Sequence, residues 1–253
     1  MIEERIEKAF RVPPDTPVIV RNSNGSVHVR GIREDSGVVL IRRNVEPDLP
    51  HTKYVEAEID EGPPFVIRSC YSLSRVRASV DIEISMPAGI RSLEIETING
   101  NIVVSDIPCR LKASSSNGFI RTSGGGGPLD LHTRNGKIDV SGSATVSCIE
   151  TLNGDIRVQM AALAGDPALI TTISGSIEIG VEDGFCADFE ALTGRGAIRL
   201  SGLDVISPTT GTGILRGTIG RSGPRFRAVA RIGGISLSRA SALCGQPGEQ
   251  PER

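Results

Sequence analysis

The feature that most constrains this chain is a short unit, Asn-Gly-x-Ile-x-Val in its fuller copies, that returns in phase along most of its length. It reads Asn99-Gly100-Asn101-Ile102, Asn117-Gly118-Phe119-Ile120, Asn135-Gly136-Lys137-Ile138 and Asn153-Gly154-Asp155-Ile156, then continues in altered form at Gly175, Gly196, Gly217 and Gly234. An earlier copy, Asn24-Gly25-Ser26-Val27, stands near the start. From Gly100 to Gly217 successive glycines lie 18, 18, 18, 21, 21 and 21 residues apart. A period of that size belongs to stacked repeat architectures, in which each unit covers the core of the next.

With each glycine as origin, apolar or small residues fall at −7, −5 and −3 and again at +2 and +4, as in Leu93, Ile95, Thr97, Ile102 and Val104. That is the alternation of two half-buried strands meeting at Asn-Gly, a dipeptide suited to a tight corner. Hairpins and a solenoid both satisfy the alternation. The outward positions discriminate between them. At +3 the units carry Arg121, Asp139, Arg157, Glu178 and Arg199, and at −6 the first three carry Glu94, Lys112 and Asp130. Alternating charge helps if equivalent positions are one strand spacing apart, ~4.8 Å, and is nearly pointless at twice that distance. The expected fold is therefore all-β, a single-stranded β-helix or solenoid with coils of 18–21 residues. Its Thr/Ser row at −3 and its row of Asn99, Asn117, Asn135 and Asn153 should stack from coil to coil.

Aromatic residues are 3% of the chain and Trp is absent, so the core must consist of narrow aliphatic rows. One domain is expected over residues 1–242. Within it, Ile2, Ile6 and Phe10 are spaced by four and suggest a capping helix over 1–11. Residues 12–90 read as irregular coils, because the 75 residues from Gly25 to Gly100 approach four ordinary turns. Regular coils fill 91–242, and the Pro/Gly/Gln/Glu-rich tail, 243–253, is expected to be disordered.

The chain resembles the putative-adhesin family of bacterial and archaeal β-solenoids, a domain of unknown function. The likeness rests on the strand before Asn24-Gly25-Ser26-Val27, the step Ile84-Ser85-Met86-Pro87-Ala88-Gly89, and the repeating Leu93-x-Ile95-x-Thr97-x-Asn99-Gly100-x-Ile102. It spans roughly residues 12 to 240. The resemblance implies a β-helix-like fold and no established activity.

The formal net charge is −2 with both signs interspersed, so no basic stripe invites nucleic acid. No stretch reaches the ~20 apolar residues of a membrane span, and the first ten residues lack the apolar run of a signal peptide. A cytoplasmic location is expected, or an extracellular one if a leader has been trimmed. Five cysteines without a CxxC pair read as reduced thiols.

Glu94, Glu96, Asp130, His132 and Glu150 are expected to share one outer strand face, the arrangement a polysaccharide-cleaving solenoid would need. A solvated face with its charge broken up by Lys112 and His132 explains them more simply. His28, His51 and His132 lie at no metal-ligand spacing from one another or from a cysteine. No Gly-x-Ser-x-Gly elbow occurs, and Gly124 to Gly127 is followed by neither Lys-Ser/Thr nor a helical pattern. No catalytic residue, metal or cofactor is expected. The favoured reading is a non-enzymatic scaffold that offers a long face to a protein partner. Self-assembly of the same rod and a carbohydrate-active enzyme are the alternatives, and glycan binding has no supporting feature.

Overall fold

The computed structural model describes residues 2–34, 36–45, 55–71 and 78–240. In chain order the strands are β1 (Ile2–Phe10), β2 (Pro17–Asn24), β3 (Val27–Ile32), β4 (Gly37–Val45), β5 (Val55–Asp60), β6 (Phe65–Tyr71), β7 (Ala78–Pro87), β8 (Ser92–Asn99), β9 (Ile102–Ser105), β10 (Arg110–Asn117) and β11 (Ile120–Ser123). They continue as β12 (Pro128–Asn135), β13 (Ile138–Asn153), β14 (Ile156–Leu163), β15 (Ala168–Ser174), β16 (Ile177–Val181), β17 (Ala187–Arg195), β18 (Ile198–Ser201), β19 (Val205–Gly211), β20 (Ile214–Ile219), β21 (Arg225–Ile232) and β22 (Ile235–Arg239). No α-helix occurs among the described residues.

A regular coil is a long strand, the Asn-Gly corner, a short strand and a second corner. Long strands stack in parallel as β6, β2, β8, β10, β12, the second half of β13, β15, β21 and β17. Short strands stack beside them as β7, β3, β9, β11, the first half of β13, β14, β16, β22 and β18. Between the two ladders, Ile95, Ala113, Leu131, Ile149 and Ile170 face Ile102, Ile120, Ile138, Ile156 and Ile177, all buried. Each large aliphatic side chain in these rows contributes about 1.5–3 kcal/mol by leaving water.

The corners show why the repeat carries glycine. The amide of Gly118 donates to Asn135 O at 3.0 Å, and that of Ile120 to Lys137 O at 3.0 Å, so consecutive corners lie one hydrogen bond apart. A Cβ on Gly118 would land on the carbonyl of Gly100. One on Gly136 would meet that of Gly118, and one on Gly154 that of Gly136. The corner row runs Gly25, Gly100, Gly118, Gly136, Gly154, Gly175, Gly233 and Gly196.

Hydroxyls from the −3 row bind the same corners. Ser115 Oγ donates to Gly100 O, Thr133 Oγ1 to Gly118 O, Thr151 Oγ1 to Gly136 O and Thr172 Oγ1 to Gly154 O, each at 3.0 Å. Thr97 Oγ1 is buried without a partner. By the same pattern it would donate to Gly25 O, but Asn22 Nδ2 already donates there at 2.9 Å. The asparagines form an amide relay, Asn153 to Asn135 to Asn117 to Asn99 to Asn24, over 2.7–2.9 Å.

Both ends of the rod depart from the expected order. Asn24 and Gly25 do not precede four irregular coils; they stack directly on Asn99 and Gly100. The intervening chain passes outside them and builds one further coil, β6 with β7, to which β5 and β4 add antiparallel. The expected capping helix is strand β1, antiparallel to β4. A spacing of four keeps Ile2, Ile6 and Phe10 on one side of a strand as well as a helix, and the free edge of β4 decides between them.

At the other end the last coil among the described residues, β21 with β22, inserts between the Gly175 coil and the Gly196 coil. Gly217 is not a corner. It lies within β20, antiparallel between β17 and β19, against Val205 and Phe189. It matched the period only in sequence position. The wider ends are filled by aromatic rings, Phe10 stacked on Phe65 at 4.8 Å and Phe189 on Phe226 at 5.8 Å. The expected disordered tail, 243–253, lies outside the described residues.

Gly136→Ala should destabilise the protein by more than about 3 kcal/mol, because the clash is with backbone that cannot rotate away. Gly126→Ala, whose added methyl meets nothing, should change stability by less than about 0.5 kcal/mol; thermal or urea unfolding compares the two. Thr133→Val should cost about 1 kcal/mol by deleting one hydroxyl bond. In the inserted coil Ala230 opposes Thr172 and supplies no hydroxyl, so Ala230→Ser should raise the melting temperature by completing the row.

Candidate functional site

The outer face of the long-strand ladder gathers a row of titratable side chains, because the outward positions of adjacent coils lie side by side. Glu94, Lys112, Asp130 and Cys148 oppose one another in successive strands, and Glu96, Ser114, His132 and Glu150 form the neighbouring row. The sequence-predicted set Glu94, Glu96, Asp130, His132 and Glu150 is thus on one face, with Lys112 and Cys148 among its members.

The charges are mostly compensated. Lys112 Nζ lies 2.8 Å from Glu94 Oε1, which raises the lysine pKa above its usual value. Arg21 Nε is 3.2 Å from Glu96 Oε2. His132 reaches both remaining carboxylates, with Nε2 2.5 Å from Asp130 Oδ1 and Nδ1 3.2 Å from Glu150 Oε2. Burial, then the neighbouring charges of Glu150 and Asp130, pushes the Cys148 thiol up to about 12. Burial alone lifts Cys109 to about 11.

Ligand spacing along the chain does not single out Cys148, because its partners lie one coil away. In a stacked coil the relevant spacing is the period itself: Asp130 to Cys148 and His132 to Glu150 are both 18 residues. The carboxylate of Asp130, the ring of His132 and the thiol of Cys148 offer donor atoms within 4.8 Å of one another.

On the short-strand face, Arg121 is paired with Asp139 at 3.6 Å and Arg157 with Glu178 at 2.8 Å. Arg199 does not follow Glu178. The inserted coil places Ser236 between them.

A hollow of about 490 Å³ at the C-terminal end is lined by residues including Phe189, Phe226, Arg216 and Arg227. It lies away from the acidic cluster, and its ionic groups are occupied in fastening strands. Glu190 accepts from Arg216 at 2.7 Å and pairs with Arg227 at 2.9 Å. Asp188 accepts from Thr218 Oγ1 at 2.6 Å and Ser222 Oγ at 2.8 Å. These bonds, foremost that from Thr218, and then the charge of Arg225, hold the Asp188 carboxyl below the usual range.

Residues 16–220 match the model of the Toastrack DUF4097 family. The chain belongs to that family. Among solved structures it is similar to a putative cell adhesion protein from Clostridium sporogenes ATCC 15579, at 12% identity and a TM-score of 0.43, covering 93% of this chain and 100% of that one. It is also similar to a putative adhesin from Bacteroides fragilis NCTC 9343, at 10% identity and a TM-score of 0.44, covering 93% and 97%. No curated protein matches the Toastrack chain.

A carboxyl whose pKa is lower folded than unfolded adds stability above its unfolded value, about 3.9 for Asp, and loses it as pH falls through the folded value. Asp188→Asn should therefore lower the melting temperature at pH 7 and flatten its decline below pH 4. An unaltered acid limb in the variant would show that Asp188 does not hold the C-terminal strands.

Proposed function

We propose that this Toastrack chain is a non-enzymatic interaction scaffold that presents the outer face of its long-strand ladder to a macromolecular partner. The observation that carries this reading is the distribution of side chains along that face. Paired charges stand at either end, Arg21 with Glu96 and Lys112 with Glu94 on one side and Arg216, Glu190 and Arg227 on the other. Beside them Thr171, Val229 and Leu192 form a half-buried, uncharged row over three coils, with Leu169 and exposed Ile173 and Leu152 next to it, bordered by Arg227 and Glu190 in the same coils and by Glu150 in the coil before. A flat face with an apolar centre and a polar surround suits a protein surface.

The residues that recur are already committed to folding. Glycines allow the corners to approach, hydroxyls and asparagines bond coil to coil, and aliphatic rows fill the core. The carboxylates that an enzyme would use each have a cation or imidazole as partner.

End-to-end assembly draws less support. The terminal strands carry the features that blunt sheet edges. Strand β1 exposes Arg5, Glu7 and Lys8, while β19 contains Pro208 and an irregular register between Ile206 and Thr209.

Capture of partners from native lysate by the wild type and two surface variants tests the reading. Thr171→Arg/Val229→Glu, in the apolar stretch, should abolish capture of the specific partner, whereas Arg157→Glu on the opposite face should leave it unchanged. Hydrolysis of a polysaccharide panel that depends on Glu96 or Glu150 would overturn the scaffold reading.

A further inference from the structure

The cluster around His132 has a chemistry that the scaffold does not need. Outward positions elsewhere in these rows hold charged pairs, hydroxyls or aliphatic groups. Here a carboxylate oxygen, a ring nitrogen and a thiol converge within 4.8 Å, and a second carboxylate stands behind the ring. Asp130 and His132 project from the same side of β12, and Cys148 and Glu150 oppose them one coil along in β13. All four are therefore placed by a parallel ladder rather than by a loop, the kind of support a binding constellation requires.

We propose that Asp130, His132 and Cys148 bind a divalent transition-metal ion of the zinc type, with Glu150 orienting the histidine. Mixed oxygen, nitrogen and sulfur donors select zinc and its neighbours over magnesium and calcium, which take oxygen. Small side-chain rotations bring donors this close to ~2.0–2.3 Å from a common ion. His132 already has the orientation such a site uses. Its Nδ1 faces Glu150 at 3.2 Å, and its Nε2 points to the Asp130 side. A carboxylate behind the far ring nitrogen fixes tautomer and ring plane in metal-binding histidines. The ion takes the lone pair of Nε2 while Nδ1–H donates to Glu150, and the thiol proton of Cys148 passes to solvent as its thiolate binds. Three protein donors leave one tetrahedral position to water. The site adjoins the apolar stretch of the proposed partner face, with Cys148 opposing Leu169 and Glu150 opposing Thr171 in the next strand, but ion binding there does not depend on that reading.

The test uses the full chain after chelator treatment, titrated with Zn²⁺ by calorimetry and with Co²⁺ by absorption. One equivalent of each should bind, Co²⁺ giving visible ligand-field bands and a near-ultraviolet thiolate charge-transfer band. Cys148→Ser should abolish the charge-transfer band, and Glu150→Gln should weaken Zn²⁺ binding by about 10–100-fold. Cys109→Ser should leave both signals unchanged. Zn²⁺ should also raise the melting temperature of the wild type but not of His132→Gln, a readout that needs no cysteine variant. Absence of saturable binding by the wild type, or a charge-transfer band that survives Cys148→Ser, would overturn the proposal.

Discussion

The whole structure depends on how closely consecutive corners approach one another. At Gly118, Gly136 and Gly154 the backbone of one coil sits where a side chain of the next would otherwise stand, so the coils meet at a single strand spacing only because those positions lack a Cβ. Once that contact is made, the remaining bonds follow from geometry. Ser115, Thr133, Thr151 and Thr172 stand one coil from a corner carbonyl and donate to it. Asparagines beside the glycines come into register and relay their amides along the rod. The same spacing brings outward charges of adjacent coils to ion-pair distance.

That dependence also explains which parts could be read from the amino-acid sequence. Gly100, Gly118, Gly136 and Gly154 repeat with a fixed step, and the alternation around them specifies inward and outward rows without long-range information. The order of coils is a different kind of quantity. Nothing in Asn24-Gly25 states that its neighbour in space is Asn99-Gly100 rather than the segment that follows it in the chain. At the other end Gly217 kept the 21-residue step, yet its strand reverses direction. Periodicity records what a segment can form, while the edge it finds records what is left exposed. Strand β1 shows the same point, since Ile2, Ile6 and Phe10 fit a helix and a strand alike until the edge of β4 is available.

The acidic face was legible to the same degree. Glu94, Glu96, Asp130, His132 and Glu150 fall on one side because strand alternation puts them there. Cys148 was not visible as part of the group, because Cys148 follows Asp130 by a full coil and a motif search along the chain looks for donors a few residues apart. In solenoids a useful motif runs across the coils, and its spacing is the repeat length. Strands β2 with β3 and β21 with β22 lie inside coils that are distant from them in sequence, and among the described residues the antiparallel strands β1, β4, β5, β19 and β20 border the ladders, with only the short strand β18 left as a repeat edge. A rod bordered in this way offers its sides for recognition more readily than its ends.

Disulfide trapping tests the coil order most directly. In a background with the native cysteines replaced by serine, the Asn24→Cys/Asn99→Cys pair should oxidise as readily as Asn135→Cys/Asn153→Cys, since both pairs are neighbours across one strand spacing of ~4.8 Å, within disulfide reach. Mass spectrometry of the linked peptides reports both. Efficient linking of residues 135 and 153 with none between 24 and 99 would contradict the account, because it would put the first coil in sequence order, several turns away.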